Sequence, residues 1–239
     1  MRIAVVSDIH GNRTAFEAVL ADLKLTSPDL IFHGGDLASS GSSPVEIVDR
    51  IRELGWRGVA GNTDEMLYSP ESLTAYADQT PAMQPFLAAI QSIVVATREA
   101  LGEERLAWLR TLPRKQTHGP IAIVHASPDS CWRAPAREAT DAEFESVFAP
   151  LKKTIAVYAH IHHAFIRRLS NMTVANTGSV SLSYDGDRRA SYLLLDDSTP
   201  AIRRVEYDVD RECGALSACG YPHADWIAKI LKSARPQSP

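Results

Sequence analysis

Five short stretches of this 239-residue chain each place a side chain able to bind a metal ion just after an apolar run. They are Asp8-Ile9-His10, Gly35-Asp36, Gly61-Asn62-Thr63-Asp64, His125 and His160-Ile161-His162. Asp8, His10, Asp36, Asn62, His125, His160 and His162 together offer carboxylate, imidazole and amide-oxygen donors without a thiolate. That mixture suits hard to borderline divalent cations. Seven donors are too many for one tetrahedral zinc; they suit two cations about 3.5–4 Å apart, bridged by a carboxylate and a hydroxide. The i, i+2 spacing of Asp8 with His10, and of His160 with His162, puts each pair on one side of an extended backbone, where it can grip a single cation. Glycine beside Asp36 and beside Asn62 allows the sharp turns that bring those side chains close. Each residue alone has an ordinary structural use, as a helix cap or a hydrogen-bonded histidine. Their joint occurrence in five blocks is what points to a metal centre.

These blocks need elements to position them. Residues 2–7 are a short β-branched apolar run, as in a buried strand. Residues 12–25 carry Phe16, Val19, Leu20 and Leu23 on one helical side. A second strand over 30–33 closes on Gly34-Gly35, a helix over 44–54 has Pro at its first turn, and a third strand over 56–60 ends at Gly61. This alternation reads as βαβ units. The Ala-rich middle is helical over 81–100 and 103–112, stops at Pro113, and reads as a lid or packing layer. Strands follow over 121–125, 155–159, 165–169, 172–175, 191–195 and 202–207, with a helix over 141–148 and an amphipathic helix over 222–233. With no linker, repeat or low-complexity tract, residues 1–239 read as one domain with a C-terminal helical extension from about residue 209. Two sheets pack together and helices cover them, so the donor blocks fall at strand ends, where such sheets form ligand sites.

Composition sets bounds on function. Hydrophobic residues make up 45% and charged residues 23%, enough to bury a large core. A net charge of -4 and the lack of a basic, aromatic tract argue against nucleic acid as a partner. The first apolar run is too short for a signal peptide, and no stretch is long and apolar enough to span a membrane. Cys131, Cys213 and Cys219 do not form a disulfide frame, which points to the cytoplasm. Strand edges after Asp197 would allow pairing between copies, and so a homo-oligomer.

In this order, the five blocks resemble the calcineurin-like metallophosphoesterase superfamily, whose pattern runs D-x-H, G-D, G-N-H-D/E, a lone H, then G-H-x-H. His125-Ala126-Ser127-Pro128 is similar to the H-G-S-P block of its small bacterial and archaeal phosphodiesterase branch. Asn176-Thr177-Gly178-Ser179-Val180 is similar to the N-P-G-S-V block of that branch, so the likeness covers about residues 1–196. The resemblance implies an α/β fold, a four-layer α/β/β/α sandwich of two mixed sheets. It implies that Asp8, His10 and His162 bind one metal, that Asn62, His125 and His160 bind a second, and that Asp36 bridges them. The expected activity is hydrolysis of small phosphodiesters by a hydroxide between two divalent cations, with Asp8, His10, Asp36, Asn62 and His125 in the catalytic machinery. Mn²⁺ is the expected metal, with Fe, Ni, Zn or Mg as alternatives. A phosphomonoesterase or nucleotidase is one competing reading. A catalytically weak binding scaffold is another, although scaffolds of this kind lose ligands and this chain loses none.

Two departures from the family pattern matter. Thr63 stands where many relatives carry the His that protonates the leaving oxygen, and loss of such help typically costs about 10²–10⁴-fold. Asp36 is followed by Leu37-Ala38-Ser39-Ser40-Gly41 and not by the Asp-Arg-Gly of protein Ser/Thr phosphatases and symmetrical diadenosine tetraphosphate hydrolases. The missing Arg clamp demotes both activities. Ala126 and Ala159 also replace glycines. Expected substrate contacts are Asn12, at a helix N-terminus suited to a phosphate oxygen, together with Thr63 and Arg133. His33 reads as structural, His163 as pointing away from the His160/His162 pair, and His118 and His223 as surface residues. Asp64 either orients a neighbour or caps a turn.

Overall fold

A computed structural model describes residues 1–239. The first sheet is built around β1 (Arg2–Val6), which pairs in parallel with β2 (Leu30–His33) and antiparallel with β9 (Ala190–Asp196). The edges of this sheet are β3 (Arg57–Gly58) and β10 (Thr199–Val205), giving the order β10-β9-β1-β2-β3. The second sheet contains β4 (Lys115–His118), β5 (Ile121–Val124), β6 (Ile155–Tyr158), β7 (Phe165–Arg168) and β8 (Thr173–Asn176), in the order β4-β5-β6-β8-β7. Both sheets are mixed: β1, β2 and β3 run parallel in the first, and β5, β6 and β8 in the second.

The layers follow from the two-residue period of a strand. Along β1, Ile3 and Val5 face the second sheet and meet Ile121, Ile123, Ile155 and Val157. Ala4 and Val6 face the other way, onto α1 (Arg13–Thr26) and α2 (Pro44–Leu54), through Phe16, Val19, Ile47 and Ile51. Beyond the second sheet, α6 (Asp141–Phe148) lays Phe144 and Phe148 against Val124 and Tyr158. The result is an α/β/β/α sandwich. Eleven buried apolar side chains form the seam between the sheets, and burial of each except the small Ala175 stabilises by about 1.5–3 kcal/mol before chain entropy is counted. No helix is long and apolar enough to cross a membrane.

Several elements differ from the sequence reading. The expected third strand shrinks to two residues, because Asn62 already starts α3 (Asn62–Tyr68), followed by α4 (Glu71–Asp78). The long helix α5 (Gln84–Arg110) is broken at Gly102, where φ is 67° and ψ 169°, close to the expected gap. β10 begins three residues before the expected 202, because Asp197 and Ser198, with φ of 45° and 70°, make a two-residue hairpin turn. That turn usually asks for glycine. Two helices close the chain, α7 (Val209–Ala218) and α8 (Ala224–Ser233).

Candidate metal centre

The loops that leave β1 and β2 are joined by backbone hydrogen bonds. Asp8 N–H donates to Gly35 O at 3.0 Å, His10 N–H to Asp36 O at 3.0 Å and Gly11 N–H to Leu37 O at 2.8 Å. The expectation of an extended backbone at the two D-x-H and H-x-H pairs is corrected here. Asp8, His10, His160 and His162 have φ of 53°, 49°, 66° and 55°, and Asp36 has φ of 56°. All five lie beyond the strand ends in the left-handed region, which costs a non-glycine residue about 1–3 kcal/mol. Successive left-handed turns, not strand pleating, aim each pair at a common point.

The side chains converge. His162 Nε2 lies 3.1 Å from Asp8 Oδ1 and 3.3 Å from His10 Nε2. Asp36 turns one oxygen to each side: Oδ2 is 3.7 Å from His10 Nε2, and Oδ1 is 3.5 Å from His125 Nε2. Asn62 Oδ1 is 3.0 Å from His125 Nε2 and 2.9 Å from His160 Nδ1. All seven donors named from the sequence therefore meet in one place. Asp8, His10, Asp36 and His125 are almost wholly buried.

Backbone carbonyls fix the ring tautomers. His10 Nδ1 faces Ser39 O at 2.9 Å, His125 Nδ1 faces Gly34 O at 2.8 Å and His162 Nδ1 faces Leu182 O at 2.5 Å. A carbonyl only accepts, so each Nδ1 carries a proton and Nε2 is the nitrogen left to meet a cation. The Nε2 atoms of His10 and His162 lie 3.3 Å apart, with Asp8 Oδ1 buried beside them. Outward ring N–H groups held by carbonyls are the usual support of metal-binding histidines.

Electrostatics divide the rings. Burial alone would raise the Asp8 carboxyl, but His162 beside it outweighs burial and holds it well below the carboxylate range. Burial works against a charged His162 as well, and there Asp8 prevails and raises the ring. Burial lowers His10 and, with His125 close by, pushes His160 down to about 4. His10 and His160 are thus favoured neutral, the state that binds divalent metals, whereas His162 would give up a proton to a cation arriving beside Asp8.

Further residues hold the donors in place. Asp64 is fully buried and does both things proposed for it. Its Oδ2 accepts from Asp36 N–H at 2.8 Å and Gly61 N–H at 2.9 Å, and its Oδ1 from Leu37 N–H at 2.9 Å. Gly61 is required by close approach, since a Cβ there would press on Asp36 Oδ1 and lie 2.6 Å from the Asp36 nitrogen. The 176–180 block underpins the first loop: Ser179 Oγ donates to Asp8 O at 2.9 Å, and Val180 N–H to Ser7 O at 3.1 Å.

Of the expected substrate contacts, Thr63 lines the cavity next to the cluster, and its Oγ1 is buried without a partner. Asn12 and Arg133 are corrected. Both ends of the Asn12 amide are committed, Oδ1 to Ala15 N–H at 2.8 Å and Nδ2 to Ser181 Oγ at 3.1 Å, so it caps α1. Arg133 points away to Gln79 at 3.2 Å, lies over the Tyr76 ring, and does not line the cavity. His33 is structural as expected, buried with neither ring nitrogen bonded.

Comparison with known proteins places these features. An uncharacterized protein of Methanocaldococcus jannaschii is 29% identical over 96% of this chain and 96% of its own length. A symmetrical bis(5'-nucleosyl)-tetraphosphatase of Aromatoleum aromaticum is 30% identical over 62% of this chain, a match that spans 52% of that enzyme. The crystal structure of a metallophosphoesterase from Sphaerobacter thermophilus superposes with a TM-score of 0.79 at 25% identity, covering 98% of this chain and 99% of that one. Residues 1–199 match the Calcineurin-like phosphoesterase superfamily domain. With a match of that extent, and a buried Asp/His group able to take divalent metal, the chain belongs to the calcineurin-like phosphoesterase superfamily of metal-dependent phosphoester hydrolases.

Proposed function

We propose that this chain hydrolyses small phosphodiesters, with its seven clustered side chains holding two divalent cations. Asp8, His10 and His162 would hold the first, Asn62, His125 and His160 the second, and Asp36 would bridge them. One observation carries the reading: buried donor atoms of Asp8, His10, Asp36 and His162, drawn from both sheets, all lie within 4.8 Å of one another. The two Asp36 oxygens, turned one to each half of the cluster, support its bridging role. Cations bound there supply Lewis acidity, lowering the pKa of water and offsetting phosphoryl charge. The donor set suits Mn²⁺ first, with Fe, Ni, Zn or Mg as substitutes.

The chain's own groups do the rest. The Thr63 hydroxyl, buried and unpartnered beside the cluster, donates to a phosphate oxygen. Because position 63 offers no imidazole, the leaving oxygen departs without a strong acid, and rates follow leaving-group acidity. No Lys or Arg lines the cavity. The single charge of a diester therefore fits better than the second charge of a monoester or the run of charges on a dinucleoside polyphosphate. Three unpaired cysteines support a reducing, cytoplasmic setting.

The test is a panel of bis(4-nitrophenyl) phosphate and 4-nitrophenyl phosphate, run on chelator-treated protein with Mn²⁺, Ni²⁺, Zn²⁺ and Mg²⁺ in turn. The diester should turn over faster, only with metal, and Asp36→Ala should abolish that turnover. Equal rates with and without chelator would rule the reading out.

A further inference from the structure

Next to the polar cluster lies a cavity of about 270 Å³, close to the lower end of small-molecule sites. Its floor is His10, Asp36, Asn62 and Thr63. Its walls come from segments far apart in the chain: Tyr76 on α4, Ile90 on α5, Trp132, and Trp226, Ile227 and Ile230 on α8. Tyr184 stacks on the His162 ring with centroids 4.7 Å apart and adds a further aromatic face. Helix α8 lies beyond residue 199, where the family match ends.

The C-terminal wall is fastened to the cluster. The Tyr221 hydroxyl accepts from Ser40 N–H at 2.9 Å and lies 2.6 Å from Thr97 Oγ1 on α5. The adjacent residue, Ser39, is the one whose carbonyl orients His10. Glu212 on α7 is fully buried and accepts from Thr14 Oγ1 at 2.8 Å and Ser42 N–H at 3.2 Å. One loop, 39–42, thus carries both a contact to the His10 ring and the anchors of the wall.

We propose that this cavity selects a phosphodiester with one apolar, uncharged ester arm, an aryl or carbocyclic group, and that α8 is the wall that selects it. The inference rests on the phosphodiesterase reading above. An apolar arm displaces water from these walls favourably. A polyol arm against the α8 wall of Trp226, Ile227 and Ile230 would leave hydroxyls facing apolar carbon, which is penalised more heavily than a gap.

The test compares two esters with the same leaving group and primary alkyl arms: cyclohexylmethyl 4-nitrophenyl phosphate and 2,3-dihydroxypropyl 4-nitrophenyl phosphate. Full-length protein with Mn²⁺ should show kcat/KM at least about tenfold higher for the cyclohexylmethyl ester. Trp226→Ala and Ile230→Ala, each checked for a cooperative thermal transition, should bring the ratio towards unity. A ratio near one or reversed in the unaltered protein overturns the proposal without any variant. A ratio that survives both folded variants overturns the role of α8. If neither ester turns over with Mn²⁺, Ni²⁺, Zn²⁺ or Mg²⁺, the hydrolase reading fails, and this inference with it.

Discussion

Replacing Asp64 by asparagine removes one oxygen and leaves the shape unchanged. The carboxylate now satisfies three buried backbone donors, from Asp36 and Gly61 through Oδ2 and from Leu37 through Oδ1. In Asp64→Asn the amide has a single oxygen. Turned the better way, it keeps two of the bonds and sets its own N–H₂ against the Leu37 N–H. The Leu37 N–H and the facing amide N–H₂ are then both buried and unmet, and each such group costs about 1–3 kcal/mol. For a chain of this length that lowers the melting temperature by about 2–4 °C per kcal/mol. Because the bonds hold Asp36 in its left-handed conformation, a second effect follows: disturbing the groups around a metal ligand typically costs about 10–100-fold in metal affinity. The assay is differential scanning calorimetry on chelated protein, followed by calorimetric titration with Mn²⁺. Both are run well above the value of about 6 to which burial and Asp36 push the Asp64 carboxyl, so that the parent is ionised. An unchanged melting temperature together with unchanged Mn²⁺ affinity would refute the positioning role.

Other expectations follow from the same geometry. Gly61→Ala drives a Cβ onto Asp36 Oδ1, so it should lose about 1–3 kcal/mol of stability and most of its bound metal; full metal occupancy by elemental analysis would contradict this. His33 has its pKa pushed by burial from 6.5 down to about 3. As pH falls from about 6.5 towards 3, the unfolded chain takes up a proton that the folded chain refuses, and stability drops by up to about 1.4 kcal/mol per pH unit. His33→Leu should flatten that slope in urea titrations, and parallel slopes would sink the idea. Thr63→His should speed alkyl esters relative to aryl esters by about 10²-fold, and an unaltered leaving-group dependence would count against the account of position 63.

The convergence of the seven donor side chains was legible in the sequence because every donor block follows an apolar run, and such runs are what a buried strand looks like. The layering was legible for the same reason: Ile3 and Val5 alternate with Ala4 and Val6. The backbone at Asp8 and His10 was not, since residue spacing predicts sidedness only for an extended chain and these residues leave the strand left-handed. Strand β4 was hidden because Lys115, Gln116, Thr117 and His118 are polar, as an edge allows. The commitments of Asn12 and Arg133 depend on Ser181, Gln79 and Tyr76, partners remote enough that sequence neighbours give no hint of them. The cavity was the least legible feature, because Tyr76 and Ile230 become neighbours only when the last helix returns across the front of the molecule.

The proposed donors hang from different halves of the sandwich. Asp8, His10, Asp36 and Asn62 follow strands of one sheet, and His125, His160 and His162 follow strands of the other. A cation seated among them would act as a rivet through the two slabs, and its binding energy would count as cohesion of the whole molecule. At a hundredfold excess of free metal over its dissociation constant, the gain is about 2.7 kcal/mol for a single ion. Metal starvation would then loosen the body of the protein as well as silence its chemistry, leaving a chain more open to proteolysis than its well-supplied twin.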